Sequence, residues 1–325
     1  MEGSLATARA TAVSEGSTGK ARSVQLRGYG DIGRNLVGVT PALIAYNLGY
    51  LTLTWGLAIG AIALFWAFPA WYTFALAFVV VSSRQQALLN IEHECQHRKF
   101  LPTRRWNDLV GTWLAAGPVG SPYRAAQGRH LAHHRLLGTD EDPDHDLHAG
   151  ANKSSRLGLI RYFIGGIAGG YAGMVLMGPP RKARTPRNAL VHDVAAMLVT
   201  QLVLFAGLTL AFVWWVYPVL WLLPLVTLTL LAHMVRSFVE HAITDEEMEA
   251  HSNRLISVRG GVIERNLISP YYMNYHAEHH LLPSVPARRL KGLRTRFTEL
   301  EDAPTVLFQP TYRSALRRYV RTLSD

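Results

Sequence analysis

The sequence predicts an all-α integral membrane protein with four transmembrane helices arranged as two hairpins, and three observations support this fold class. Two long stretches, 41–83 and 194–235, contain no Asp, Glu, Lys or Arg. Each is about twice the roughly 20 apolar residues that a helix needs to cross a bilayer. Each also has a proline near its middle, Pro69 and Pro218. Three histidine clusters follow the stretches and predict a helical cap that carries a metal site.

The prolines divide the two stretches into spans. Proline disfavours helix continuation and fits a tight turn. We therefore expect turns at Pro69 and just before Pro218, and spans at about residues 42–68, 70–90, 194–216 and 218–240. The alternative is a large buried core in a soluble protein, but uncharged runs of this length are hard to explain in water.

The segments outside the spans are predicted to be tails or cap. Residues 1–35 are rich in Ser, Thr, Gly, Ala and Arg, which indicates a disordered cytoplasmic tail. Residues 36–300 form the single predicted domain, and 301–325 are expected to be a cytoplasmic C-terminal tail. The apolar, glycine-rich segment 162–178 is expected to lie along the membrane surface, because a fifth span would separate the histidine clusters.

The basic residues predict the orientation. All 33 Lys and Arg lie outside the two uncharged stretches. The positive-inside rule then places both termini and the central segment, and with them every histidine cluster, in the cytoplasm. A pI near 9.9 is also typical of nucleic-acid binding, but here the basic residues flank membrane spans. We expect contact with anionic lipid headgroups and no nucleic-acid partner.

The histidine clusters predict the chemistry. Their spacings of three or four residues place imidazoles on one face of a helix, and imidazole is a common ligand for iron, zinc and copper. Eight ring nitrogens are too many for one ion, so we expect two metal ions. A ninth candidate stands at the end of the fourth span. The candidates are His93, His97, His130, His133, His134, His241, His276, His279 and His280.

The first cluster has a competing interpretation. Alone it reads His-Glu-x-x-His, the pattern of a zinc metalloprotease in which Glu94 would be the general base. A catalytic zinc needs three protein ligands, so this interpretation leaves the other histidines at ligand spacing unexplained. A metal-binding or transport protein without catalysis is a further alternative, and it predicts histidines along a path through the bilayer.

Taken together, the clusters and their flanks resemble the membrane fatty acid desaturase and hydroxylase superfamily, over roughly residues 36–300. The flanks that share this resemblance are His97-Arg98-Lys99-Phe100 with Asn107-Asp108, the run Gly138-Thr139-Asp140-Glu141-Asp142-Pro143-Asp144, the pair Glu240-His241, and the run from Asn274 to Pro283.

The resemblance implies a centre of two iron ions held by the nine histidines in a cytoplasmic cap, with no catalytic residue beyond the ligands. It also implies O2 as co-substrate and the removal of hydrogen from an unactivated C–H bond of a fatty acyl or membrane lipid substrate. Some members add an asparagine through water four residues before the isolated histidine, where this chain has Ser237.

Carboxylates are expected to accept the outer ring N–H groups and orient the ligands. The candidates are Glu94, Asp140, Asp144, Glu240 and Glu278.

Electrons must come from a separate protein. The sequence has no flavin or nicotinamide fingerprint and no cysteine set for an iron–sulfur cluster. A ferredoxin-like or cytochrome b5-type donor is expected, on a basic cytoplasmic face exemplified by Arg288, Arg289, Lys291, Arg294 and Arg296. Hydroxylases, carotenoid ketolases, alkane hydroxylases and decarboxylating alkene-forming enzymes share much of the ligand pattern and stay open as alternatives to desaturation.

Overall fold

The computed structural model describes residues 33–137, 139, 141–148, 155–165, 167, 186–243, 254–300 and 306–323. Within them the chain is mostly helical, with one pair of short strands. In chain order the elements are α1 (Pro41–Ala67), α2 (Trp71–Gln96), α3 (Arg104–Val110), α4 (Tyr123–Leu136), α5 (His145–His148), α6 (Arg156–Gly165), α7 (Arg187–Ala211), α8 (Pro218–His241), β1 (Ile256–Val258), α9 (Val262–Leu267), α10 (His276–Leu281), α11 (Leu290–Thr298), β2 (Leu307–Gln309) and α12 (Tyr312–Thr322).

Four helices, α1, α2, α7 and α8, are long and apolar enough to cross a membrane, as predicted. α1 begins where Thr40 accepts the N–H of Leu43 and Pro41 occupies the first helical position, both favourable at an N-terminus. The outer helices expose large apolar side chains, among them Leu202 at 64% and Leu210 at 87%. Such faces suit contact with lipid rather than water.

The boundaries of the second pair differ from the sequence prediction. α7 begins at Arg187 and ends at Ala211, whereas the sequence predicts a span over 194–216. The helix therefore starts before the charged Asp193, and the turn to α8 begins about five residues earlier than predicted. Pro218 opens α8, and the segments Pro218–Leu222 and Leu225–Thr229 are π-helical. Proline lacks the N–H that closes a regular α-helical turn, which accounts for wide turns beside Pro218 and Pro224.

α2 is the central helix because its second half is buried in protein. Its polar side chains there bond carbonyls of other segments: Gln85 donates to Trp221 O at 2.8 Å, Gln86 to Ile268 O at 3.1 Å and Asn90 to Pro270 O at 2.7 Å. These contacts satisfy polar groups that would otherwise be costly to bury. They also fix the end of α2, with its histidines, against α8 and the segment before α10.

That segment is held in an unfavourable backbone conformation. Tyr271 and Tyr272 have φ values of 60° and 62°, which cost of order 1–3 kcal/mol for a residue with a side chain. The Tyr271 hydroxyl donates to Asn47 Oδ1, and Asn47 Nδ2 donates to Phe100 O at 2.7 Å. Buried contacts to α1 and to the loop after α2 therefore stabilise the turn that positions α10.

The C-terminal segment 301–325, predicted to be a tail, packs on β1 and on the end of α8 in its described part. β2 pairs in parallel with β1, and α12 packs on the end of α8, where the Tyr319 and Phe238 ring centroids lie 4.9 Å apart. The described residues are mostly helical, which agrees with the all-α prediction. The two strands were not predicted, because three residues are too few to produce a periodic pattern. Residues 1–32 of the predicted N-terminal tail, and 168–178 of the predicted surface segment, lie outside the described residues.

Gly111 marks the closest approach between the π-helical segment after α3, Gly111–Ala116, and α4. A Cβ there would lie 2.3 Å from Cε2 of Tyr123 and 3.0 Å from Cβ of Cys95. Gly111→Ala is therefore expected to reduce stability by about 1–3 kcal/mol through overpacking, seen as a lower midpoint of thermal unfolding in detergent micelles. The control is Gly128→Ala in α4, where a Cβ meets nothing within 4 Å. A midpoint for Gly111→Ala at or above that of Gly128→Ala would contradict this packing.

Candidate metal centre

Five histidine rings form the first of two sets, which we call set 1. It contains His93, His97, His130, His134 and His279, and one nitrogen from each lies within 4.8 Å of all the others. His93 and His97 come from the end of α2, and His130 and His134 from successive turns of α4. The Nε2 atom of His130 lies 2.7 Å from that of His97 and 2.9 Å from that of His134, which is 3.1 Å from that of His279.

The remaining four candidates form set 2. It contains His133, His241, His276 and His280, again with nitrogens within 4.8 Å of one another. The Nε2 atom of His241 lies 3.2 Å from that of His133 and 2.9 Å from that of His276. The structure thus brings all nine sequence-predicted rings together, five in one set and four in the other.

The division between the sets follows helix geometry. In α4, His130 and His134 are four residues apart and enter set 1, whereas His133 enters set 2. In α10 the assignment is reversed, because the four-residue pair His276 and His280 enters set 2 and His279 enters set 1. Adjacent residues of a helix point about 100° apart. Each His-His pair therefore serves both sets.

The ring nitrogens have the environment of metal ligands. Both nitrogens of His93 and the Nε2 of His280 are buried with no hydrogen-bond partner among the described residues, which is rare for polar atoms. His241 Nδ1 bonds the carbonyl of Arg254 at 2.8 Å, so it carries the proton and its Nε2 offers a lone pair. Nitrogens about 2.1 Å from one ion lie about 3 Å apart at right angles, which fits the observed spacings.

The lowered pKa values of the rings also favour ligation, because metals bind neutral imidazole. Burial lowers the pKa of His97 to about 3. Burial, reinforced by the neighbouring rings, holds the pKa values of five others well below the usual range. These are His130, His134, His276, His279 and His280.

His133 differs from the other rings because of an acidic neighbour. Its burial lowers the pKa, but the hydrogen bond to Asp142 and the charges of Asp144 and Asp142 outweigh burial and raise it. Asp142 Oδ1 lies 2.8 Å from His133 Nδ1. Asp142 stands in the same acidic run as Asp140 and Asp144, the two members of it that the sequence analysis singled out.

The predicted carboxylates divide into three groups. Glu240 Oε2 lies 3.3 Å from His276 Nδ1, and Asp144 is paired with Arg129 and lies 3.9 Å from His133 Nδ1. Asp140 lies outside the described residues. The prediction that Glu94 and Glu278 orient rings is corrected, because in the described part of the chain neither carboxylate contacts a ring nitrogen.

Glu94 and Glu278 connect other segments of the chain instead. Glu94 accepts the N–H of Ala287 at 2.9 Å, and Glu278 accepts from Ser257 and, at 2.7 Å, from Arg294. The physical reason is again the rotation of about 100° per residue, which turns the neighbour of a ligand away from the metal. The position of Glu94 also removes the general base that the metalloprotease interpretation requires.

Two site-building residues escaped the sequence reasoning. Asp193 of α7 is buried, and its Oδ2 accepts the N–H groups of Arg124 and Ala125 at 3.0 Å each. It therefore caps the N-terminus of α4, which carries three of the nine rings. Tyr312 of α12 donates to Glu240 Oε1 at 3.1 Å. The available signal for Asp193 was a lone carboxylate at the edge of an uncharged run, and nothing in the sequence marked Tyr312.

The other histidines do not join either set. His145, His192 and His233 are described and lie outside both groups. The side chain of His148 and the whole of His251 lie outside the described part of the chain. At the position where some family members have an asparagine that binds through water, this chain has Ser237, which lacks the amide.

Tyr312→Phe tests whether the hydroxyl of Tyr312, through Glu240, helps to position the ring of His276. It removes one hydroxyl that bonds a buried carboxylate, an interaction worth roughly 1.5–3 kcal/mol. We expect turnover or metal affinity to fall by roughly tenfold, toward the lower end of effects seen for outer partners of metal ligands. The control is Tyr72→Phe, which removes a hydroxyl from a side chain that is 61% exposed. Equal metal content and turnover in both variants would contradict a role for Tyr312.

Comparisons with known proteins agree with this geometry. The sequence model of the family described as "Fatty acid desaturase" matches residues 69–310, which include all nine rings. The chain is 29% identical over 215 residues to a beta-carotene ketolase of Paracoccus sp. (strain N81106 / MBIC 01143), covering 64% of this chain and 74% of that protein.

Two further relatives extend the comparison. A second beta-carotene ketolase, from Paracoccus sp. (strain PC1), is 29% identical over 215 residues, 65% of this chain and 74% of the relative. Dihydrorhizobitoxine desaturase of Bradyrhizobium elkanii is 22% identical over 233 residues, 67% of this chain and 65% of its own length.

Proposed function

Because the chain belongs to the fatty acid desaturase family, we propose that it oxidises an unactivated C–H bond of an apolar, membrane-dissolved substrate at a two-metal centre held by nine histidines. The chain is an oxidoreductase of the desaturase-like superfamily. The observation that carries the finer proposal is the sorting of nine buried or half-buried imidazoles into two sets of ligand spacing. Desaturation of a fatty acyl chain is the first candidate reaction.

The chemistry needs two metal ions and O2. Two iron ions bound by these imidazoles would supply the activation of dioxygen. Neutral rings leave the charge of both ions uncompensated, so Asp142 and Glu240, beside His133 and His276, would balance part of it and orient the rings. In desaturation, O2 takes two electrons from the substrate and two from an external donor.

The proposed arrangement is two helical hairpins with a cytoplasmic cap. α1 and α2 are joined by three residues and α7 and α8 by six, and all nine rings stand near or after the C-terminal ends of α2 and α8. The absence of Lys and Arg from 41–83 and 194–235 supports cytoplasmic termini and a cytoplasmic site. A tag at Asp325 should react with a membrane-impermeant reagent only after the cells are permeabilised. Labelling of the tag in intact cells would contradict a cytoplasmic C-terminus.

A second candidate is hydroxylation or ketone formation on a carotenoid-like ring. The observation that favours it is the 29% identity to two beta-carotene ketolases. Both candidates use an apolar substrate and the same metal centre. The choice between them depends on which carbon of which lipid reaches the rings.

Mass spectrometry of the lipids of an expressing strain tests the proposal. Loss of about 2 Da from an acyl chain means desaturation, gain of about 16 Da means hydroxylation, and gain of about 14 Da means conversion of a methylene to a ketone. The strain should be compared with one that expresses His130→Ala, which retains the membrane helices and loses a ring of set 1. A lipid profile that is the same in both strains, under aeration and with iron, would refute an oxidation of membrane lipid.

A further inference from the structure

The C-terminal helix α12 presents a face of arginines. Its exposed side chains are Arg313, Arg317, Arg321 and Thr322, and the three arginines recur every four residues, on one side of the helix. We call these three the arginine face. They line a groove of 580 Å³ together with Arg318 and three uncharged polar residues, and in the described part of the chain no carboxylate lines this groove. The surface is therefore strongly positive.

The basic residues that the sequence suggested for a donor are largely engaged elsewhere. Arg289 donates to Leu36 O and Gly38 O, each at 2.8 Å, and so holds the segment before α1. Arg294 bonds Glu278 at 2.7 Å and lies over the Phe308 ring. Arg288 lies over the rings of Tyr46 and Tyr272. The arginine face is the more available positive surface.

The same helix reaches the metal centre from its inner side. Tyr312, 1% exposed, donates to Glu240 Oε1 at 3.1 Å, and Glu240 Oε2 lies 3.3 Å from His276 Nδ1. Two side chains thus connect α12 to a ring of set 2. A partner seated on the outer side of α12 would be separated from that ring by little more than one helix, which is a short distance for electron transfer.

The face suits a protein better than a membrane surface. A helix that lies in the bilayer interface exposes apolar side chains beside its basic ones, but the apolar residues of α12 pack inward against Phe238, Val239 and their neighbours. Exposed apolar side chains stand on other elements, namely Leu157, Ile160 and Ile164 of α6 and Val262 and Ile263 of α9. Those elements, rather than α12, have the composition of an interface with lipid.

We propose that the arginine face is the docking surface for a small, acidic one-electron carrier protein that reduces the metal centre. The inference rests on the proposed function. Each docking oxidises the carrier by one electron and reduces the centre by one. Two dockings, with two electrons and two protons from a C–H pair of the substrate and two protons from solvent, reduce O2 to two molecules of water.

Binding to the metal-free protein tests the surface without activity. The full chain is placed in phosphatidylcholine nanodiscs at low ionic strength, and the affinity for two acidic probes is measured: a plant-type [2Fe–2S] ferredoxin and a soluble cytochrome b5 domain. Arg317→Glu with Arg321→Glu is expected to weaken binding about tenfold or more, and raised salt should weaken wild-type binding. Lys291→Glu, a charge reversal at an exposed residue of α11, should change affinity less than about twofold.

Turnover then separates docking from chemistry. The double variant should lose about tenfold in donor-driven turnover and retain the single turnover of enzyme reduced by dithionite. Failure of the wild type after dithionite reduction would count against the proposed function and not against docking. Docking on the arginine face is overturned if neither probe binds, if the double variant binds as the wild type does, or if Lys291→Glu has the larger effect. It is also overturned if the variants differ only in nanodiscs with phosphatidylglycerol, which would make the face a headgroup site.

Discussion

Replacing His279 or His280 with alanine is expected to remove a different metal ion in each case and to abolish turnover in both. The two residues are adjacent in sequence, but His279 belongs to set 1 and His280 to set 2. Each variant should retain about half of the wild-type metal, with the loss confined to the set that lacks a ring. Turnover should fall by more than the roughly 10–100-fold that the loss of an outer partner costs, because both ions are needed.

The metal content of each variant is measured by elemental analysis, and the remaining ion is characterised by its spectrum. His192→Ala is the matched control, since His192 is a partly exposed histidine of α7 outside both sets. It should keep the metal content and most of the activity. The same residual metal environment in the His279 and His280 variants would contradict the division into two sets.

Replacing Asp142 with alanine is expected to give the second-largest effect, a loss of about 10–100-fold in metal affinity or turnover. Asp142 Oδ1 lies 2.8 Å from both His133 Nδ1 and the backbone N of Asp144. Without it, only the more distant charge of Asp144 opposes the effect of burial on the pKa of His133. The ring also loses the acceptor that fixes its orientation. Asp142→Asn keeps an acceptor oxygen and loses the charge, so it should recover part of the loss.

Glu141→Ala is the control for this effect, because Glu141 is the exposed carboxylate next in sequence. Metal titration of both proteins, with turnover measured at saturating metal, separates a loss of affinity from a loss of chemistry. Two variants with indistinguishable titrations would mean that the His133–Asp142 contact does not support the centre.

The membrane helices and the nine rings were predictable because their signals are local. Uncharged runs longer than a bilayer requires predict spans directly, and spacings of three or four residues predict rings on one helix face. The division of the rings into sets was not predictable. It depends on how α4 and α10 are rotated against each other, and neither helix carries that information alone.

The supporting residues were harder to predict for a related reason. Sequence neighbours of a ligand, such as Glu94 and Glu278, are the obvious candidates, yet helix rotation directs them away from the rings. Five acids stand within the seven residues 140–146 after the second cluster, and only the path of the loop selects Asp142. Asp193 and Tyr312 come from other helices, and Tyr312 lies 72 positions from Glu240.

We propose that the two histidine sets hold two iron ions. The most direct measurement is the iron content of the purified full chain by elemental analysis, combined with Mössbauer spectroscopy of protein loaded with ⁵⁷Fe. We expect about two iron ions per chain in two nitrogen-rich environments, one for each set. One ion per chain, or a single environment that survives both His279→Ala and His280→Ala unchanged, would contradict it.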